Sequence, residues 1–280
     1  MHLLWLIFRS IYLDVRLFKT SVWNLLDRVD FLLKKYFLYI KYIFTGFQLG
    51  LSYVRFRGLK IYYGSKYGLA DFQSMLTRLW HLLDIAEVHD VKTVVDVGAN
   101  VGFSTLMFHY KYNAPEIYSF EPVPQVFSCL QKNTSDFPNI SIYNKAIAAS
   151  KGESKMSFDT SDALISSFSP MGSIRVSCVS LNDFLKDRGI SVVDILKIDV
   201  EGFEHLVLIG ATEMLARTRY LLMEITILDN SNYTISSLLK RLATDEYEFQ
   251  LLGFRNYGDT AEGPIPVMDV IMKNILFSEK

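Results

Sequence analysis

Three stretches of this chain end in acidic side chains where an apolar run stops, and such acids are candidates for chemistry. The run Thr93–Val97 contains Asp96 and leads into Gly98-Ala99-Asn100-Val101-Gly102. Glu121 follows Ile117–Phe120, 19 positions after Gly102, and the run ending at Ile198 is followed by Asp199 and Glu201. A carboxylate and backbone carbonyls beside a glycine-bearing turn suit a nucleoside that carries a cationic amino group and no phosphate. Glu121, at a neighbouring strand end, has two oxygens for the two hydroxyls of a ribose. Taken singly, Asp96 reads as a helix-capping or turn residue and Glu121 as a solvated strand end. Their spacing favours a joint role. A dinucleotide fingerprint aligned on Gly98 requires glycine at 100 and 103, where Asn100 and Phe103 stand, and the chain has no GxxxxGK[ST] motif for a triphosphate.

Asp199 and Glu201 are two apart, so a strand continuing through them would place both on one face. Mutual repulsion raises the pKa of one acid in such a pair, which suits a general base or recognition of substrate hydroxyls. A divalent cation would need a third ligand that this segment does not supply, and no metal site is expected. Glu201 also suits a cap on the helix that follows. His205 on that helix, and His109, read first as surface or internally satisfied residues.

The elements that must position these acids alternate. Strands are expected at 93–97, 117–120, 140–143, 193–198 and 220–225, with helices at 69–88, 102–111, 123–133, after Gly202, and at 236–243. Short strands are expected at 155–158 and 174–179, and two last ones at 248–252 and 267–276. Alternating strands and helices call for an α/β fold with a mostly parallel sheet covered on both faces. Ligands in such sheets sit beyond the carboxyl ends of the strands, where the acids lie.

Half of the 280 residues are hydrophobic and 21% are charged, which excludes disordered and low-complexity classes. Two cysteines, with no CxxC pair, exclude a disulfide framework and a structural zinc site and point to a reducing compartment. Net charge is −1, yet residues 1–60 hold ten Lys/Arg against three Asp, leaving 19 basic and 27 acidic residues beyond them. Between Asp27 and Gln48 the polar residues Asp27, Asp30, Lys34, Lys41, Thr45 and Gln48 fall on one narrow helical stripe, and most of the rest is apolar. The run free of formal charge, Tyr42–Val54, is too short to span a bilayer. An interfacial helix anchored by Trp5, Trp23 and tyrosines is therefore expected, with a helical lid packed on the body as the alternative. Residues 1–65 are read as a helical extension and 66–280 as the catalytic domain. Charges interleaved with bulky aliphatics favour lipid over nucleic acid as partner, so residues 1–60 are assigned to peripheral contact at the inner face of a membrane, with the body in the cytoplasm.

Asp96–Gly102, Phe120-Glu121-Pro122 followed by Phe127, Leu130 and Asn133, Leu181–Phe184, Lys197–Gly202 with Glu204, Val207–Ala211, Glu224 and Asn274–Phe277 occur in one order. In that order they resemble the FkbM-type methyltransferases, a branch of the class I S-adenosylmethionine-dependent fold. The resemblance covers residues 92–277. It implies a Rossmann-like sheet of seven strands, the last antiparallel, and methyl transfer to a hydroxyl on a sugar, glycolipid or related secondary metabolite. It further implies that Asp96, Gly98, Asn100 and Gly102 hold the methionine portion of S-adenosylmethionine, that Glu121 holds the ribose, and that Asn144 lies near the adenine. Asp199 and Glu201 would face the transferring methyl. The competing class is a non-catalytic binding or scaffold protein that retains this fold, and a nicotinamide oxidoreductase is disfavoured by the turn.

Overall fold

The computed structural model describes Asp14 and residues 25–45, 52–57, 59–63, 68–113, 115–158, 166–168, 172–226, 234–256, 259–260, 263–264 and 267–277. In chain order, α1 (Leu25–Thr45), β1 (Ser52–Phe56), β2 (Leu59–Tyr63) and α2 (Gly68–Ile85) precede β3 (Thr93–Val97) and α3 (Phe103–Lys111). Then come β4 (Glu116–Phe120), α4 (Pro124–Thr134), β5 (Ile140–Tyr143), β6 (Ala146–Ile147), β7 (Gly152–Phe158), β8 (Ser166–Phe168) and β9 (Ile174–Val179). The chain continues through α5 (Leu181–Arg188), β10 (Val193–Ile198), α6 (Glu204–Ile209), α7 (Thr212–Leu215), β11 (Thr218–Thr226) and α8 (Ile235–Lys240). It closes with β12 (Phe249–Asn256), the short β13 (Asp259–Thr260) and β14 (Gly263–Pro264), and β15 (Val267–Asn274).

Seven strands form the central sheet in the order β12-β15-β11-β10-β3-β4-β5. Pairings from β11 through β10, β3 and β4 to β5 are parallel, and β15 runs antiparallel to both β11 and β12. This is the expected doubly wound sheet with an antiparallel last strand. Alternation along each strand divides the core. Val94, Ile195, Leu222 and Ile271 pack towards α2 and α3, whereas Val95, Leu196, Leu221 and Met272 pack with residues of α5, α6 and α7. Between β5 and α5 the chain forms a separate sheet in the order β6-β9-β7-β8, which contains the two short strands expected there.

The N-terminal region holds more than the helix expected for it, because β1 and β2 form an antiparallel hairpin with Val54 opposite Ile61. Val54, Phe56, Ile61 and Tyr63 face the core shared with α2 and α3. Apolar residues at every second position, Val54 and Phe56 in one strand and Ile61 and Tyr63 in the other, carry that strand signal, which the basic, aromatic composition of the segment had obscured. Helix α1 packs through Phe31 against Phe72 of α2, at 6.4 Å between ring centroids. Lys35 is buried and donates to Asp14 at 2.6 Å and to Gln73 of α2 at 2.9 Å. Trp5 and Trp23, expected as interfacial anchors, lie outside the described residues. Among the described residues no helix is long and apolar enough to cross a membrane.

Candidate active site

The carboxyl ends of β3, β10, β4 and β11 meet at one edge of the sheet. Gly98, just after β3, has φ +77, and a Cβ there would lie 1.8 Å from the Asp199 carbonyl oxygen. Only glycine allows the chain leaving β3 to pass this close to the chain leaving β10. The amides of Gly98 and Ala99 both donate to the Phe120 carbonyl, at 3.0 and 2.9 Å, which ties the turn to the end of β4. Asn100 and Gly102 also take left-handed φ values, 52° and 95°. Asn100 tolerates this conformation through its side chain, whose Oδ1 accepts the Val101 amide at 2.7 Å. Helix α3 then starts after Gly102 without a side-chain cap.

Glu121 stands beside this turn and is buried. Its Oε2 accepts the Asn100 amide at 3.1 Å and its Oε1 accepts the Val123 amide at 2.9 Å. Burial pushes its pKa up to about 7, although the two amides and Lys197 favour the charged form. Asn144, expected near the adenine, donates to the carbonyls of Glu121 and Pro122 at 2.9 and 3.0 Å. It thereby secures the backbone that aims Glu121.

Asp96 is placed differently from the expectation of direct ligand contact. It is fully buried beneath the turn, and its Oδ2 accepts the hydroxyls of Ser104 and Thr105 of α3, each at 2.7 Å. Its Oδ1 lies 3.2 Å from Nζ of Lys197, the residue paired with it in the register of β3 and β10. Lys197 also donates to the Gly98 carbonyl at 2.8 Å and lies 3.4 Å from Asp199. Burial works against the lysine's charge, but Asp96 and Asp199 outweigh it and hold its pKa above the ordinary value. Asp96 therefore supports the turn from below. Sequence reasoning left Lys197 without a role, although a lysine inside the apolar strand Val193–Ile198 was a visible signal.

Asp199 and Glu201 do come together, but not on a strand face. The strand β10 ends at Ile198, and Glu201 turns the chain at φ 52° ahead of Gly202. The acid that satisfies this turn is Glu204, whose Oε1 accepts the Gly202 amide at 2.9 Å, rather than Glu201. Glu224 of β11 supplies a third carboxylate, and the oxygens of Asp199, Glu201 and Glu224 all lie within 4.8 Å of one another. Asp269 of β15 is the register partner of Glu224, and Arg78 of α2 reaches both, at 3.1 Å from Asp269 and 3.8 Å from Glu224. The protein thus sets its own cations, Arg78 and Lys197, among these acids. Burial, with the charges of Asp199 and Glu204, raises the pKa of Glu201 to about 8. Burial, with Asp199, Glu201 and Asp269, raises Glu224 well above the carboxylate range. The register needed to find Glu224, Asp269 and Arg78 is not contained in any local spacing.

Neither histidine joins the cluster. His109 is bonded to Asn139 at 3.1 Å and packs on Phe137, and His205 has its pKa lowered by burial and by Arg241.

Residues 96–254, more than half of the chain, match the methyltransferase FkbM domain family. The chain is 25% identical over 204 residues to the 31-O-demethyl-FK506 methyltransferase FkbM of Streptomyces tacrolimicus, covering 60% of this chain and 78% of that protein. It is 30% identical over 148 residues to the hexuronic acid methyltransferase AglP of Haloferax volcanii, covering 51% and 59% of the two chains. Among solved structures it is similar to M. capricolum TrmK in complex with S-adenosyl-homocysteine, with TM-score 0.44 and 12% identity over 71% of this chain and 70% of that one.

Proposed function

Because the chain belongs to the methyltransferase FkbM domain family, we propose that it is an S-adenosylmethionine-dependent O-methyltransferase acting on a hydroxyl of a sugar, glycolipid or related secondary metabolite, in the cytoplasm. The observation that carries the reading is Glu121, buried with one backbone amide on each oxygen beside the left-handed turn at Gly98–Gly102. Each oxygen keeps a lone pair for one hydroxyl of a ribose diol. The donor set suits a phosphate-free nucleoside, since the cation nearest the turn, Lys197, is committed to Asp96, Asp199 and the Gly98 carbonyl.

S-adenosylmethionine, when bound, supplies an electrophilic methyl group on a sulfonium. Glu121 would hold its ribose, and Gly98, Asn100 and Gly102 would offer backbone groups to its methionine portion. Asp96, through Ser104, Thr105 and Lys197, keeps that turn in place. Asn144 does the same for the turn that carries Glu121. Asp199 and Glu201 stand across the strand ends, where an acceptor hydroxyl can be aligned and its proton accepted as the new oxygen–carbon bond forms. Ordered positioning of the two reactants can account for much of the acceleration, and a carboxylate that accepts the proton adds to it. The curated relatives named above act on a 31-O position and on a hexuronic acid, and this chemistry supports oxygen as the acceptor atom.

Calorimetry with S-adenosylmethionine and S-adenosylhomocysteine is the direct test, followed by comparison of metabolites from cells with and without the protein for a gain of one methyl mass. Binding and a methylated product are expected. Absence of any heat of binding would replace this reading with the non-catalytic scaffold.

A further inference from the structure

The packing of α1 fixes which way the helix faces. Asp27, Phe31 and Lys35 form the inward row, with Phe31 against Phe72 and Lys35 bonded to Asp14 and Gln73. The opposite row, Leu25, Leu26, Val29, Leu33 and Phe37, is consequently turned outward. Leu26, Leu33 and Phe37 are 81%, 68% and 65% exposed. Single exposed apolar residues are ordinary, but a helical row of five is a contact face.

The hairpin beside α1 continues this face with charge. Its inward residues belong to the core, so alternation turns Tyr53, Arg55, Lys60 and Tyr62 to the other side, as two cross-strand pairs, Tyr53 with Tyr62 and Arg55 with Lys60. Lys34 of α1 and Lys60 lie over the Tyr53 ring, 3.9 and 4.8 Å from its centroid, and Lys132 of α4 lies over Tyr62 at 3.5 Å. Three cations thus lie over two tyrosines, with Arg55 beside Lys60 across the hairpin and Asp30 paired to Lys34 at 2.8 Å.

We infer that this helix–hairpin face is a docking surface for an anionic lipid bilayer. Leu25, Leu26, Val29, Leu33 and Phe37 enter the acyl boundary, the tyrosines lie at headgroup level, and Lys34, Arg55, Lys60 and Lys132 meet the lipid phosphates. Residues 1–60, which supply most of this surface, hold ten Lys/Arg against three Asp, whereas acids outnumber basic residues 27 to 19 beyond them, so an anionic surface is attracted to this part of the chain and repelled by the net charge of the rest. Two alternative occupants fit less well. A second copy docked face to face would set like charges together, and a nucleic acid would leave the apolar row unused. Asn133, at the end of α4, ties the surface to the candidate active site, since it accepts the Tyr62 amide at 2.7 Å and donates to the carbonyls of Tyr62 and Val101 at 2.8 and 2.7 Å. Val101 belongs to the turn that follows β3. The inference rests on the O-methyltransferase reading only in that a lipid-linked acceptor would be presented to that site.

The test is co-sedimentation of the full chain with vesicles of phosphatidylcholine alone or mixed with phosphatidylglycerol, beside calorimetry with S-adenosylhomocysteine. Binding is expected with the anionic vesicles only, and it weakens as salt is raised. The variant Arg55→Gln/Lys60→Gln and the variant Leu26→Gln/Leu33→Gln/Phe37→Gln each lower vesicle affinity about tenfold or more, with thermal midpoint and S-adenosylhomocysteine affinity unchanged. The inference is overturned by equal binding to neutral vesicles, by no vesicle binding, or by variants that bind as the parent does. It is equally overturned if the apolar substitutions instead abolish a dimer seen in sedimentation equilibrium, or the charge substitutions an affinity for oligonucleotides. Vesicle binding without any heat from S-adenosylhomocysteine would sink the methyl-transfer reading and leave the docking surface standing.

Discussion

Lys197 sits between two carboxylates and a carbonyl, and the energetics of the site turn on it. Removing one member of a buried charged group leaves the others uncompensated. Lys197→Met leaves Asp96 and Asp199 without their shared cation, and a loss of about 3–5 kcal/mol is expected in urea denaturation. Glu201 is the residue whose ionisation a rate would report. Its pKa is raised to about 8, so at lower pH the group is protonated and cannot take the acceptor's proton. Turnover is expected to rise with pH through about 8 and then level. The charges facing Glu201 are Asp199, Glu204, Lys197, Arg78 and Glu224. Glu201→Gln and Asp199→Asn should each cut turnover about a hundredfold or more while calorimetry finds cofactor affinity near that of the parent. Unchanged turnover in both variants would remove these residues from the chemistry.

At the scale of elements, the site is a meeting of turns. The chains leaving β3 and β10 touch at Gly98 and Asp199, and the chain leaving β3 is tied to the end of β4 at Phe120. Gly98→Ala adds a Cβ 1.8 Å from the Asp199 oxygen in a backbone with φ +77. The contact is with backbone, so no side-chain rotation can relieve it. A destabilisation of about 3 kcal/mol or more and loss of S-adenosylhomocysteine binding are expected, read by thermal unfolding with and without ligand. A Gly98→Ala variant that binds as tightly as the parent would show that the two turns can part without harm to the site. Helix α2 matters at the same scale, because it brings Arg78 to Asp269 and Glu224. Arg78 lowers the pKa of Glu201, so Arg78→Met should shift the rising limb of the rate profile to higher pH.

For the whole molecule, the buried acids make stability depend on pH in an unusual direction. Glu121, Glu201, Glu224 and Asp269 all have raised pKa values, with burial as the first cause. Between the ordinary carboxylate range and about 8, the folded chain therefore holds protons on these groups that the unfolded chain has released. Their contribution to stability falls as pH rises through that window. The urea midpoint should decline from mildly acidic to mildly alkaline pH, and Glu121→Gln should flatten the decline. A midpoint that instead rises with pH would show that these acids are ionised in the fold.

Much of this was legible in the chain alone. The alternation of strands and helices, the turn Gly98–Gly102, Glu121 at its distance, and the acids after Ile198 are local signals, because strand alternation, glycine conformation and strand ends act over a few residues. The hairpin at 52–63 was local too, but its composition masked it. Sequence spacing also placed Asp199 and Glu201 together for the wrong reason, since a turn rather than a strand face joins them. Tertiary structure alone decided that Asp96 faces Lys197, that Glu224 and Asp269 complete the acid group, that Arg78 reaches them from α2, and which row of α1 faces out. Those choices depend on strand register and helix rotation, which are set by packing across the sheet between residues far apart in the chain.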